Sequence, residues 1–201
     1  EIAAVVLNPY TLDPVDDIIP FNLLLKPENI DAIDFNALRI AGMTHDVIEK
    51  DKAIQKKEPL LNVMEMGVDR YMAADMFVDW FNAMGLADRK KLIPVAHNWV
   101  FDSIFIRRWL GNKTFELLFS PLYRDTLPIS LFENDIRGYR GEEYLFAKNN
   151  LSYLCSTMHI ERDRAHRALD DAVATAKVYK TILTHGYPRQ INVTPDEDQQ
   201  I

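Results

Sequence analysis

IERDRAHRALDDAVATAKVY, residues 160 to 179, places a lone histidine, His166, five positions before Asp171. From about Leu169 the pattern turns helical, with Ala172, Thr175, Ala176 and Tyr179 on one stripe. An imidazole therefore stands just before a helix and a carboxylate stands in its first turn. An imidazole near neutral pH can take a proton from water, and a carboxylate can hold the divalent cation that acidifies that water. The pairing suits hydrolysis. The same residues also fit a plainer reading, in which Asp170 and Asp171 favour a helix start, where the dipole welcomes negative charge, and His166 is a loop residue.

Working outward, two further carboxylates follow short apolar runs. LIPVA, residues 92 to 96, reads as a buried strand that passes into HNWVFD, residues 97 to 102, and then into a helix closed by Gly111. Asp102 thus sits at a strand-to-helix junction, beyond the carboxyl end of a strand, where sites gather in open α/β sheets. LYRDT, residues 122 to 126, reads as a second short strand ending at Asp125, with a helix over 126 to 132. Residues 135 to 149 are rich in glycine, arginine and glutamate and read as a mobile loop, and a short helix follows over 151 to 158. Upstream, EIAAVVL at 1 to 7 and IIPFNLLLK at 18 to 26 read as a hairpin around proline-containing turn chemistry. Residues 60 to 84 carry Met72, Met76, Phe77, Trp80, Phe81 and Met84 at helical spacing, which predicts a core-facing stripe.

Composition bounds the possibilities. A chain of 201 residues, 48% hydrophobic and 26% charged, is the size and make-up of one soluble globular domain, here placed at 1 to 186 with a disordered polar tail at 187 to 201. A single cysteine, Cys155, allows no internal disulfide and suits a reducing, cytoplasmic compartment. No apolar run approaches the roughly 20 residues of a membrane-spanning helix. The formal charge of −7 argues against a protein that coats long nucleic acid, while leaving room for an enzyme that grips a few terminal nucleotides.

AHNWVFD at 96 to 102, RDT at 124 to 126 and HRALDDA at 166 to 172, in that order and separation, resemble the motifs of the DEDDh 3′-to-5′ exonucleases, the DnaQ-like family of the polymerase III proofreading subunit, ribonuclease T and oligoribonuclease. The resemblance implies a ribonuclease H-like α/β fold, a mixed five-stranded sheet flanked by helices. It also implies hydrolysis of phosphodiester bonds at single-stranded DNA or RNA 3′ ends, with two Mg2+ or Mn2+ ions. Asp102 and Asp171 would be metal ligands and His166 the general base. Asp125 would support the site rather than bind metal. Phe101 would lie near the terminal base, with Ile40, Gly42 and Met43 of an IAGMT segment at the last nucleotide, and Asn98 and Arg167 as further substrate contacts. Arg162 and Arg164, beside the histidine, could also hold a phosphate, although a solvated face is the default for at least two of the three arginines.

The family's first motif, Asp-x-Glu, occurs nowhere in the 201 residues. Residues 1 to 7 resemble the second strand instead, so the expectation is a fragment of a longer protein whose sheet lacks its first, central strand and whose activity alone is weak or absent. The alternative from another class is an exonuclease fold that has lost its site and binds nucleic acid or a protein. Partnership with a polymerase and self-association are open.

Overall fold

The computed structural model describes residues 1–29, 63–86, 90–162 and 167–184. The chain opens with β1 (Ile2–Ala4), antiparallel to β2 (Phe21–Leu23) with Ile2 opposite Leu23 and Ala4 opposite Phe21. The Asn8 carboxamide shapes the connection by accepting from the N–H groups of Tyr10 at 2.9 Å and Thr11 at 3.2 Å. Helix α1 (Arg70–Ala83) starts where the Asp69 carboxylate accepts from the N–H groups of Tyr71 and Met72. It ends at Gly85, whose φ of 60° a side chain would resist.

One expectation is corrected along α1. Ala73 and Phe77 are its buried residues, whereas Met72 and Met76 are exposed. Helical spacing places adjoining stripes only about 100° apart, and the one that meets neighbouring aromatics turns inward. Phe77 packs edge-on to Phe21 at 5.0 Å and lies within 6 Å of Trp80, Trp109 and Phe119, contacts that two flexible methionines do not offer.

The second half repeats one device, a short strand that runs straight into a helix. β3 (Val95–Ala96) leads to α2 (Trp99–Leu110), α3 (Asn112–Leu118) follows Gly111, and β4 (Arg124–Asp125) leads to α4 (Thr126–Tyr139). β3 and β4 are parallel, with Ala96 opposite Asp125. Both helices therefore begin at the same end of the pair. α4 extends into the stretch expected to be a loop, and the segment beyond it is anchored: the Asn134 side chain donates to the Phe146 carbonyl at 2.8 Å and accepts from the Phe146 N–H at 3.0 Å. Phe146 is 1% exposed. Local polarity hid a core residue whose partners are distant in sequence.

α5 (Leu151–Thr157), capped by Asn150, and α6 (Ala168–Leu183) complete the described elements. α6 lies against β1, β3, α4 and α5, and that explains why it buries Ala174, Thr175, Ala176, Val178, Tyr179 and Ile182. The result is a mixed α/β arrangement flanked by helices, in two strand pairs; among the described residues no strand joins β1–β2 to β3–β4. Two cores form. One gathers Phe21, Phe77, Trp99, Phe115 and Phe119, the other Phe146, Leu154, Ala174, Val178 and Ile182. Among the described residues no helix is long and apolar enough to cross a membrane. The expected tail at 187 to 201 lies outside the described residues.

Candidate active site

Asp125 organises the strand end. Its side chain is buried, Oδ1 accepts from the N–H groups of Asn98 at 2.8 Å and Leu127 at 3.0 Å, and Oδ2 accepts from Trp99 N–H at 2.7 Å. One carboxylate thus satisfies the first donors of both α2 and α4, and the positive ends of two helices favour its charge. Asn98, the residue before α2, holds φ 70° and ψ 53°, a left-handed conformation that asparagine tolerates better than most residues. That turn directs the chain into the helix that carries Phe101 and Asp102.

Asp102 stands in the first turn of α2 and keeps solvent contact along its side chain. Desolvation by the surrounding protein, with the negative charge of Asp125 second, pushes its carboxyl from 3.8 up to about 6. Phe101 beside it is 58% exposed and packs against Phe105 at a centroid distance of 5.0 Å. The ring belongs to no core cluster and presents a face to solvent.

Asp171 occupies the first turn of α6 and pairs with the guanidinium of Arg162. Arg162 is not on a solvated face, since its side chain is 7% exposed. Arg167, just before α6, is partly exposed and holds Glu1 through Nε at 3.0 Å and Nη2 at 3.2 Å, while the same Glu1 carboxylate accepts from Ala168 N–H at 3.3 Å. Glu1 therefore serves α6 as an N-terminal cap and ties β1 to it. No local pattern could have shown this, because the partners are 166 positions apart.

His97 is a second residue that sequence reasoning passed over, although it lies inside the quoted AHNWVFD. Its Nδ1 is 2.8 Å from Thr126 Oγ1, which also lies 3.3 Å from the Ala96 carbonyl oxygen. Burial lowers its pKa and the charge of Arg162 adds to that, against the opposing pull of Asp125 and the Asn149 backbone. A neutral imidazole so held links β3 to α4. His166, Arg164, Ile40, Gly42 and Met43 lie outside the described residues.

Carboxylate oxygens are the donors that Mg2+ and Mn2+ prefer. Asp102 and Asp171 fit such an ion in kind, and each stands in the first turn of its helix. They make only part of a ligand set, because among the described residues no three carboxylate, imidazole or thiolate groups gather to hold an ion.

The parallel strands β3 and β4 feed helices at a common end and one carboxylate caps both helices, within a mixed α/β arrangement consistent with a ribonuclease H-like fold. The family model of the exonucleases matches residues 1–179, so the chain belongs to that family, within its DnaQ-like branch. Membership implies a hydrolytic nuclease. No curated protein and no solved structure matches the chain.

Proposed function

We propose that this sequence belongs to a 3′-to-5′ exonuclease of the DEDDh type, acting on single-stranded DNA or RNA 3′ ends. The observation that carries the reading is the family match over residues 1–179, within which AHNWVFD, RDT and HRALDDA fall in the order of the family's motifs. In this reading Asp102 and Asp171 hold Mg2+ or Mn2+, together with groups that the described residues do not include. When bound, the ions compensate the charge that builds on the attacking and leaving oxygens. His166 takes the proton of the attacking water, the bond from phosphorus to the 3′ oxygen breaks, and a nucleoside monophosphate leaves the shortened strand.

The protein's own surface supports the substrate class. Phe101 and Phe105 present adjoining aromatic rings on which a splayed terminal base can stack, a mode that needs a single strand. Arg167 places its guanidinium before the same helix as Asp171, and Asn98 lies at the entrance to α2. Ile40, Gly42 and Met43 complete the proposed contacts to the last nucleotide. The single cysteine, Cys155, is buried and free, which supports a reducing, cytoplasmic setting.

The test is a time course on 5′-labelled single-stranded oligonucleotides with Mn2+, comparing the protein with Asp171→Asn. The expected result is a weak ladder shortened from the 3′ end, and a loss of about a hundredfold in the variant, since replacing even a partner of a metal ligand costs about 10- to 100-fold. A variant as active as the parent, or shortening from the 5′ end, would overturn the assignment.

A further inference from the structure

Helix α2 has two apolar faces, and one of them has no core. Trp99, Ile106, Trp109 and Leu110 lie in or against the first core, which is the face an amphipathic helix needs. Phe101, Ile104 and Phe105 form another stripe at i, i+3 and i+4, and each is more than half exposed. Arg108 continues that stripe at i+7 and is also exposed. Among the described residues its guanidinium makes no hydrogen bond, ion pair or ring contact. Its neighbours differ, since Arg107 pairs with Glu116 and lies over the Phe115 ring, and Arg70 pairs with Glu28. Beside the stripe an open cleft of about 440 Å³ lies among Ser103, Ile104, Arg107, Arg108, Gly111 and Asn112.

Two bare rings, an aliphatic side chain and a free cation in one row match the chemistry of a single strand of nucleic acid. Bases stack on the rings whatever their identity, and a guanidinium takes a phosphate through charge-assisted hydrogen bonds. The charge favours this occupant, because Arg108 offers an unpaired positive group on a chain whose net charge is −7. The row also begins beside Asp102, so it is continuous with the candidate active site. We propose that α2 is a track for the strand on the 5′ side of the scissile bond. With the terminal base at Phe101, the next bases lie on Ile104 and Phe105, and Arg108 holds a phosphate further back. From Phe101 to Arg108 the helix rises about 10 Å, the length of about three nucleotides stacked at about 3.4 Å each. The inference rests on the exonuclease reading, which places the terminal base at Phe101.

The experiment is fluorescence anisotropy with 5′-labelled thymidylate di-, tetra- and octanucleotides in EDTA, which keeps the strands intact. The protein is compared with Phe105→Ala and Arg108→Gln, both exposed changes, with circular dichroism to confirm folding. The parent should bind the tetranucleotide about tenfold more tightly than the dinucleotide and gain little beyond it, since each stacked base adds to affinity. Phe105→Ala should weaken the tetranucleotide about tenfold. Arg108→Gln should weaken it about fivefold and reduce the slope of log Kd against log salt by about 0.7, the share of one phosphate on a single strand. A helix that was merely disturbed would not change that slope. Equal affinity of the parent for di- and tetranucleotide, or both variants binding the tetranucleotide as the parent does, would remove the track. If Asp171→Asn still abolished 3′ shortening in either case, the exonuclease reading would stand without it. A parent that sediments as a dimer, dissociated by Phe105→Ala, would assign the face to a second copy of the chain and overturn the inference.

Discussion

Asp102 carries its own stability signature. Its carboxyl is pushed up to about 6 by desolvation and then by Asp125, so the folded protein holds a proton there that the unfolded chain, near 3.8, has released. Between these values the folded state binds more protons, and stability falls as pH rises through that window; the penalty is fully present above about 6 and absent below about 4. Asp102→Asn should therefore melt at a higher temperature than the parent at about pH 7.5 in EDTA, with the gain shrinking to nothing near pH 4. Equal melting curves at both pH values would show that Asp102 is not held against its charge. The location of Asp102 was readable from sequence, since a strand, a junction and a glycine stop are all local. Its environment was not, because Asp125 lies beyond another helix and strand. The burial of Arg162 was hidden for the same reason: three arginines around a histidine look like a solvated face until α5 supplies Ser152 and α6 supplies Asp171.

Between elements, Asp125 decides how the two strand-to-helix units meet. Three backbone N–H groups from two helix starts converge on one buried carboxylate, two of them 26 and 27 positions away. Asp125→Ala would leave those donors unsatisfied at both α2 and α4, at a cost of about 3 kcal/mol. Asp125→Asn, which can still accept from Asn98 and Leu127 while turning an NH2 group towards Trp99, should lose about half of that. Urea unfolding resolves the two; an Asp125→Ala variant within about 0.5 kcal/mol of the parent would show that the helix starts find other partners. Sequence spacing predicted the end of β4 at Asp125 and a helix after it, as found. It could not predict that the same residue caps α2, nor that α4 runs on to Tyr139, since Gly138 and the charges around it imitate a loop. The exposed Met72 and Met76 show a similar limit: periodicity gives a helix but does not choose among neighbouring stripes until Phe21, Trp109 and Phe119 arrive from elsewhere.

Across the molecule, α6 joins two cores, beside the contacts that Asp125 and His97 make between the starts of α2 and α4. All three tryptophans belong to the first core, Trp99 within it and Trp80 and Trp109 against it, while Val178 is wholly buried in the second. The path between them runs from Val178 along α6 to β1 and β3, whose Ile2, Ala4 and Ala96 pack on the first core. If α6 couples the cores, damage in one must be felt in the other, because a domain of this size unfolds as a unit only when its parts share enough interface. Val178→Ala removes two buried methyl groups at a cost of about 2 kcal/mol. Tryptophan fluorescence should then report a lower melting temperature although no tryptophan touches Val178 in either core cluster, and it should fall by the same amount as the helical signal in circular dichroism. A fluorescence transition that stays at the parent's temperature while the helical signal divides into two steps would mean that each core melts alone. In that case α6 would be a helix laid across two independent halves, and the Glu1 cap and the Arg162–Asp171 pair at its start would hold that end of α6 without holding the halves together.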